Sequence, residues 1–406
     1  MLVRLHRHLV SAVVETAAGF SGVAGPTLER VVEGMLRAHP KWGSRDRRFF
    51  AGQVYEMVKW RRWFGWLAGV GEGGPWGVGD GWRVWAVCWL EGGGDEAVLG
   101  DFPELAGVTR VFVEERKALA VPAAVRASFP DWLYGVGETE LGSAWPGMVA
   151  VLNGKASIFL RANALRTDAV ALVEILRKEG LVAEPVGGEA LRLERRAVLA
   201  GSAAFRDGLF EVQDAGSQRV VPMLRAEPGM LVIDACAGGG GKSLQLAAVM
   251  RNEGRIIAQD VRAEALGRLR ERAVRAGAGI IRTEQVASGD VVRRRAGTAD
   301  RLLLDVPCSG LGVLRRQPDA RWRLTLEELG RLCRLQAELL RKASVMLKPG
   351  GLMVYATCSV LPRENEWQVE AFLRESAGRW ELEESCHFLP CDEGDGFFAA
   401  RLRRLG

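Results

Sequence analysis

The chain has 406 residues, 48% of them hydrophobic and 26% charged, and its 55 Lys and Arg against 50 Asp and Glu give a formal net charge of +5. That length accommodates about two to four domains, each with its own core, and the balance excludes a disordered chain; no apolar run approaches the roughly 18 residues a membrane helix needs. The small excess of cations is compatible with a polyanionic partner without requiring one. At the start, "MLVRLHRHLVSAVVETAAGF" puts basic residues before an apolar patch, but Glu15 interrupts it and the helical pattern continues, so no signal peptide is expected. Residues 1 to about 68 read as helices: "PTLERVVEGMLRAH" places Leu28, Val31, Val32, Met35 and Leu36 on one face, and the next helix opens at Ser44 as N-cap. A glycine-rich hinge, "GVGEGGPWGVGDG" (residues 69–81), follows, because glycine loses too much freedom to hold a helix there, and helix resumes at "WRVWAVCWL". Eight of the thirteen tryptophans precede residue 90, which gives this module an aromatic core or contact surface of its own. "KWRRWFGW" (residues 59–66) combines cations with stacking surfaces as an RNA contact would, yet Trp60, Trp63 and Leu67 share one helical face, so core packing is favoured.

From about 125 to 225 short strands and helices mix: "ASIFLRANAL" is strand-like, "TDAVALVEILRKEG" is an amphipathic helix capped by Thr167 and Gly180, and "EALRLERRAVL" returns to an extended or mixed pattern. Beyond 225 the alternation is regular. Apolar strands at "GMLVIDAC", "GRIIAQD", "IRTEQV", "DRLLLDVPC" and "GLMVYATCS" are separated by helical patterns, which implies a doubly wound, mostly parallel sheet with ligands beyond its strand carboxyl ends. The expected boundaries are 1–120 for the helical domain, 121–225 for the small α/β domain and 226–406 for the Rossmann-like domain. Seven cysteines without a C-x-x-C pair and four histidines make no zinc pattern, even at "CHFLPC" (residues 386–391); no metal is expected, and a reducing cytoplasm is the simplest setting.

The stretch "DACAGGGGKS" (residues 234–243) follows an apolar strand and opens a helix. A Walker A loop would share its Gly-Lys-Ser end, but Cys236 stands where the first glycine belongs; a nucleoside-binding turn needs only small residues there. Ala235, Cys236, Ala237, Gly238, Gly239, Gly240, Gly241 and Lys242 are the candidate contacts of that turn. Asp260, at the end of the next strand, is suited to accept both ribose hydroxyls, with a solvated strand-end acid as the alternative. Arg262 joins it as a candidate cofactor contact, and Asp290 in "ASGD" is suited to accept from an adenine amino group. "LLLDVPCSGLG" (residues 302–312) imitates Walker B at Asp305, but its Pro-Cys-Ser has no task in Mg²⁺ handling. "VYATCSVLPRENE" supplies a second Cys-Ser turn at a strand end, so Cys308 and Cys358 are expected to converge on one pocket, where buried structural cysteines would be the duller alternative.

These segments, with "GLFEVQDAGSQ" upstream, resemble the Sun/Fmu (RsmB-type) S-adenosylmethionine-dependent RNA cytosine-5 methyltransferases over residues 125 to 406; "LRANAL" is similar to the family's entry to the small domain and "DGFFAARLRR" to its final strand. The N-terminal helices resemble, loosely, the NusB-type RNA-binding module. One departure is "AGGGGK" where family members often carry Ala-Pro-Gly-Gly-Lys. The resemblance implies a class I methyltransferase domain, S-adenosylmethionine as cofactor and cytosine C5 in RNA, small-subunit ribosomal RNA first, as substrate. It assigns thiol addition at C6 to Cys358 and release of the adduct to Cys308; protonating or hydrogen-bonding N3 to stabilise the charge that develops is a task suited to Asp305, which also borders the cofactor. The chemistry asks for such groups independently, because C5 is a poor nucleophile until a thiolate adds to C6. For RNA, Lys242 is placed to contact the base or its ribose, Arg315, Arg316 and Arg321 the phosphates, and Arg161 and Asn163 the strand from the small domain, against the alternative of surface charge. Two rivals stay open: a P-loop RNA-dependent ATPase, which leaves Cys358 unexplained, and a non-catalytic RNA-binding or antitermination-type module resting on the N-terminal helices. A monomer without membrane attachment is expected.

Overall fold

The computed structural model describes residues 5–23, 25–71, 76–287, 290–391 and 393–406. The side chain of Asp290 lies outside the described residues, so its expected adenine contact is not addressed by the fold. Two compact units emerge, Met1–Gly154 with Leu314–Leu326, and Lys155–Val313 with Glu327–Gly406. The division differs from the expected 1–120, 121–225 and 226–406. Helices Asp131–Leu141 and Trp145–Leu152 fall in the first unit, and the small sheet shares the second unit with the large one.

The first unit is helical. Helices Arg7–Ala18, Leu28–Ala38, Ser44–Lys59, Arg61–Ala68 and Val78–Glu91 bury Val10, Val13, Phe50, Val54, Met57, Leu67 and Trp85 in one core. On the second of these helices Leu28 and Val32 are buried, while Val31, Met35 and Leu36 pack half-buried against the same core. Gly43, not Ser44, is the N-cap of the third, with no side-chain cap bond. The helix at Val78 begins inside the glycine-rich stretch that the sequence assigns to a hinge. Packing explains it: a Cβ on Gly81 would stand 2.9 Å from Val14 Cγ1, so glycine permits a helix contact that outweighs its poor propensity. Arg61 and Arg62 of "KWRRWFGW" are themselves buried, donating to the carbonyls of Phe20 at 2.9 Å and Phe129 at 2.7 Å, which makes this stretch core.

Residues 314–326 follow directly on the Cys308 turn, yet belong to the helical unit. Asp319 accepts the backbone N–H of Leu28 at 3.1 Å, and the Trp322 indole donates to the Val58 carbonyl at 2.7 Å. Arg321, fully buried, donates to Asn153 Oδ1 at 2.7 Å and lies 4.2 Å from the Phe129 ring centroid.

The second unit carries two sheets. Strands β1 (Ile158–Ala162), β2 (Ala183–Gly187), β3 (Ala190–Leu193) and β4 (Phe210–Val212) form an antiparallel sheet in the order β2-β3-β1-β4, the ferredoxin-like arrangement. The helix Ala169–Lys178 is capped by Asp168, whose carboxylate accepts from Ala171 N at 2.8 Å, one residue later than Thr167. Strands β5 (Leu231–Asp234), β6 (Arg255–Asp260), β7 (Ile281–Gln285), β8 (Ala299–Asp305), β9 (Leu347–Thr357), β10 (Trp380–Phe388) and β11 (Phe397–Arg404) form the large sheet in the order β10-β11-β9-β8-β5-β6-β7. The five strands from β5 to β9 run parallel, and β11 and β10 close one edge antiparallel. The chain proceeds from β5 to β6 on one side and returns to β8 on the other, so the switch in strand order falls between β5 and β8. In a doubly wound sheet that crevice is where a ligand binds.

Candidate active site

The glycine turn is built from backbone. After Asp234 the chain folds back through Ala237 N to Gln259 O at 2.8 Å and Gly240 N to Ala237 O at 2.9 Å before the helix Gly241–Val249 begins. Gly240 has φ +84°, and a Cβ there would lie 1.7 Å from Leu269 Cδ1, so any other residue meets a left-handed backbone and must displace the Leu269 side chain. Gly238 N donates to Asp260 Oδ2 at 2.8 Å, which joins the turn to the end of β6. Arg161 of β1 donates to the carbonyl of Gly241 at 2.8 Å and so holds the start of the helix from the small sheet.

A cavity of about 760 Å³ opens beside this turn. Its wall includes residues 234–239, Gly241, Lys242, Asp260, Arg262, Val286, Asp305 and Pro307, with Leu335 and Leu339 as an apolar side. The size and the mixture of apolar wall with few polar groups suit a nucleoside-sized ligand. Burial works against the charge of Asp260, but the hydrogen bonds from Arg262 and from Gly238 N outweigh it and hold this carboxyl below its ordinary range. Asp234 is the opposite case. Burial, with the nearby charge of Asp305 adding to it, pushes its carboxyl up to about 7 despite the Ser243 hydroxyl 2.6 Å away. Cys236 is likewise pushed up, by burial first and then by Asp234, Asp305 and Asp260, so it stays a neutral thiol.

At the end of β8, Asp305 Oδ2 meets Lys242 Nζ at 2.6 Å, the ammonium nearly buried and the carboxylate about one-third exposed at 31%. Three residues on, Cys308 Sγ lies 3.3 Å from Cys358 Sγ, and both thiols are free. Paired β8 and β9 explain the meeting: Asp305 and Ala356 are register partners, so the turns that follow leave the sheet side by side. The hydrogen bond with Cys358 first, then burial and the charges of Cys358 and Glu364, hold Cys308 well above the ordinary thiol range. Cys308 therefore keeps its proton next to the second sulfur.

Comparison with known proteins decides the family. Residues 221–403 match the model of 16S rRNA methyltransferase RsmB/F, and residues 129–199 match the ferredoxin-like domain of RsmF/B-like methyltransferases. The ribosomal RNA small subunit methyltransferase B of Pasteurella multocida is 33% identical over 321 residues, 74% of this chain and 71% of the relative. The chain belongs to the RsmB/F methyltransferase family. Among solved structures, PH0851 superimposes over 100% of both chains with a TM-score of 0.78 at 22% identity. NSun6 from Pyrococcus horikoshii, solved with an S-adenosylmethionine analogue, covers 69% of this chain and 99% of its own at a TM-score of 0.63 and 21% identity. Both likenesses concern the fold.

Within this RsmB/F family chain, the turn residues from Ala235 to Gly239, with Gly241, Lys242, Asp260, Arg262 and Asp305, meet at one cavity, and the two thiols stand next to it. The expected RNA contacts divide differently. Arg321 is withdrawn from a phosphate role, because it is buried within the helical unit against Asn153 and Phe129. Arg161 and Asn163 are also corrected: both are buried, Arg161 on Gln213 and Gly241, Asn163 on the carbonyls of Gly208 and Ala276 at 2.8 and 2.9 Å. They tie the small sheet to the large one. Arg315 is buried as well, and Arg316 is half-buried. Sequence reasoning passed over Glu364 and Asn365, both fully buried; the signal available was their place in "LPRENE", polar residues in the short turn that follows the second Cys-Ser. Among the described residues, no group of three or more His, Cys, Asp and Glu is placed to hold a metal, and no helix is long and apolar enough to cross a membrane.

Proposed function

We propose that this chain methylates C5 of a cytosine in small-subunit ribosomal RNA, with S-adenosylmethionine in the cavity beside the glycine turn. The single observation that carries the reading is the pair of free thiols 3.3 Å apart at adjacent strand ends, next to the Lys242–Asp305 ion pair. The cavity residues fit the cofactor: an acid at the end of β6 for ribose hydroxyls, a turn of small residues from Ala235 to Gly239 along one wall, and an apolar wall for the base. S-adenosylmethionine supplies the methyl group as a sulfonium electrophile.

Cys358, as thiolate, adds to C6, forming the sulfur–carbon bond and moving the C5=C6 electron pair toward C5, which becomes the nucleophile. N3 takes up a proton from solvent as the ring gains electron density on addition, and its N–H then donates to the Asp305 carboxylate held by Lys242, which stabilises the protonated base. After methylation the C5 proton leaves to a base, the C5=C6 bond re-forms and the sulfur–carbon bond breaks, a release served by Cys308. The target base is unstacked to present C6 to the sulfur, and the helical unit positions the RNA. The names of the relatives support the ribosomal substrate, and a cytoplasmic site of action follows from it.

The two cysteine variants test the mechanism. With small-subunit RNA and S-adenosylmethionine on a denaturing gel, Cys308→Ala is expected to stall as a protein–RNA adduct and Cys358→Ala to form none. Bisulfite sequencing of the RNA locates the modified position. Full turnover by Cys358→Ala overturns the covalent route, and a stabilising response to ATP with Mg²⁺ but none to S-adenosylhomocysteine favours the ATPase instead.

A further inference from the structure

Glu364 closes the short turn Pro362–Glu364 that follows the second cysteine, and its side chain is fully buried. One carboxylate oxygen accepts the backbone N–H of Ser309 at 2.8 Å and the Gln336 amide at 3.0 Å. The other accepts two hydroxyls, from Ser309 and from Ser359, both at 2.5 Å. Ser309 directly follows Cys308, and Ser359 directly follows Cys358. The Glu364 main chain is fixed in turn, its carbonyl accepting the buried Tyr355 hydroxyl at 2.6 Å. A single carboxylate thus grips the residue after each thiol, and the two serine oxygens lie 3.2 Å apart between them.

This arrangement is costly unless it is used. A buried carboxylate loses its hydration, and four donors aimed at its two oxygens restore it only in this one geometry. The Cys358–Ser359 peptide is also held by Gly312 N on its carbonyl at 2.9 Å and by the Thr357 hydroxyl on its N–H at 3.2 Å, whereas the Cys308–Ser309 peptide N–H is held by Glu364, so the carboxylate is what ties the first cysteine turn to the second. We infer that Glu364 is a positioning residue that sets the distance between the Cys308 and Cys358 sulfurs, and through it the release step that needs both thiols. The second half of that statement rests on the methylation reading above. Addition to C6 asks only that Cys358 be placed; release asks that Cys308 reach the adduct, so loosening the clamp burdens release more.

The test uses the full chain with Glu364→Gln, whose amide nitrogen cannot accept from the two hydroxyls, and with Ser359→Ala, which removes one grip and keeps the carboxylate. The first readout is disulfide formation between Cys308 and Cys358 under a diazene oxidant, followed by peptide mapping; the two thiols lose two electrons and two protons, and the diazene becomes the hydrazine. Coupling is expected to slow by about tenfold in Glu364→Gln and less in Ser359→Ala, in line with the loss of a charge-assisted hydrogen bond. The second readout is the RNA adduct, which is expected to accumulate in both variants while S-adenosylhomocysteine affinity stays at the wild-type value. A merely structural role lowers the active fraction and leaves no adduct behind. Thiol coupling at the wild-type rate in both variants, or in Ser359→Ala alone should Glu364→Gln not fold, overturns the clamp whatever the RNA does. Slower coupling where neither these variants nor Cys308→Ala forms an RNA adduct supports the clamp and overturns the methylation reading.

Discussion

The glycine turn and the cysteine turns leave neighbouring strands of one sheet, yet they are held in different ways. The first is shaped by main chain: positive φ at Gly238 and Gly240, backbone hydrogen bonds to β6, and a helix packed so closely that Leu269 occupies the space of a Cβ. The second is shaped by side chains: Ser309, Ser359, Thr357, Glu364 and Asn365 bond to one another in a buried polar cluster. A turn that must let a ligand approach the backbone uses residues without side chains, whereas a turn that must aim a sulfur uses a network that fixes it. The two constructions fail differently when disturbed.

The largest effect is expected on the glycine side. Gly240→Ala meets both a left-handed backbone and the Leu269 side chain, and is expected to destabilise the protein by about 3 kcal/mol and to abolish S-adenosylhomocysteine binding, as measured by chemical unfolding and calorimetric titration. Near-wild-type affinity in this variant would remove the backbone side of the contrast.

Asn365→Ala sharpens the other side. Its amide accepts the Thr357 hydroxyl and donates to the Ser359 carbonyl at 3.1 Å, all buried. Truncation strands both partners, a loss of roughly 1–3 kcal/mol, and methyl transfer is expected to fall while S-adenosylhomocysteine affinity holds. Equal losses of both would mean that the two turns are one cooperative structure.

Asp260→Ala stands between them, because its side chain braces the backbone turn through Gly238 N. Affinity for S-adenosylhomocysteine is expected to drop by about tenfold or more, the worth of a hydrogen bond to a charged group, with Cys308–Cys358 coupling under oxidant unchanged. The smallest effect is a pH slope. Asp234 has its folded value raised from 3.8 to about 7, so the folded state holds the proton more tightly than the unfolded one. Its contribution is present at low pH and is lost as pH rises from about 4 through about 7. Asp234→Asn, which still accepts the Ser243 hydroxyl, is expected to flatten that part of the stability profile and to gain on the wild type above neutrality; an unchanged slope in pH-dependent unfolding would show that the group does not titrate there.

Much of the site could be read before any coordinates. Glycines at 238–241, an acid after β6 and two Cys-Ser turns after β8 and β9 are local signals, because each marks the end of an apolar strand. The arginines misled for an equally physical reason. Arg161, Arg315 and Arg321 look like solvated cations in a one-dimensional string, and only packing reveals that they are buried, Arg161 on Gly241 and Arg321 on Asn153 and Phe129. The hinge expected at residues 69–81 yielded in part to a helix for the same cause, since propensity is weak beside a close contact such as that of Gly81 with Val14.

By itself the sequence determined the alternation of strands and helices, the parallel sheet, the glycine turn and the identity of both thiols, because periodicity and turn chemistry act over a few residues. Tertiary structure alone decided that residues 314–326 complete the helical unit, that the small sheet braces the glycine turn through Arg161, and that one carboxylate grips both cysteine turns. Those facts join residues 50 to almost 300 positions apart, as Ser309 to Ser359 and Leu28 to Asp319. A side chain's burial and its partners are set by what the completed fold brings against it, which no local pattern encodes.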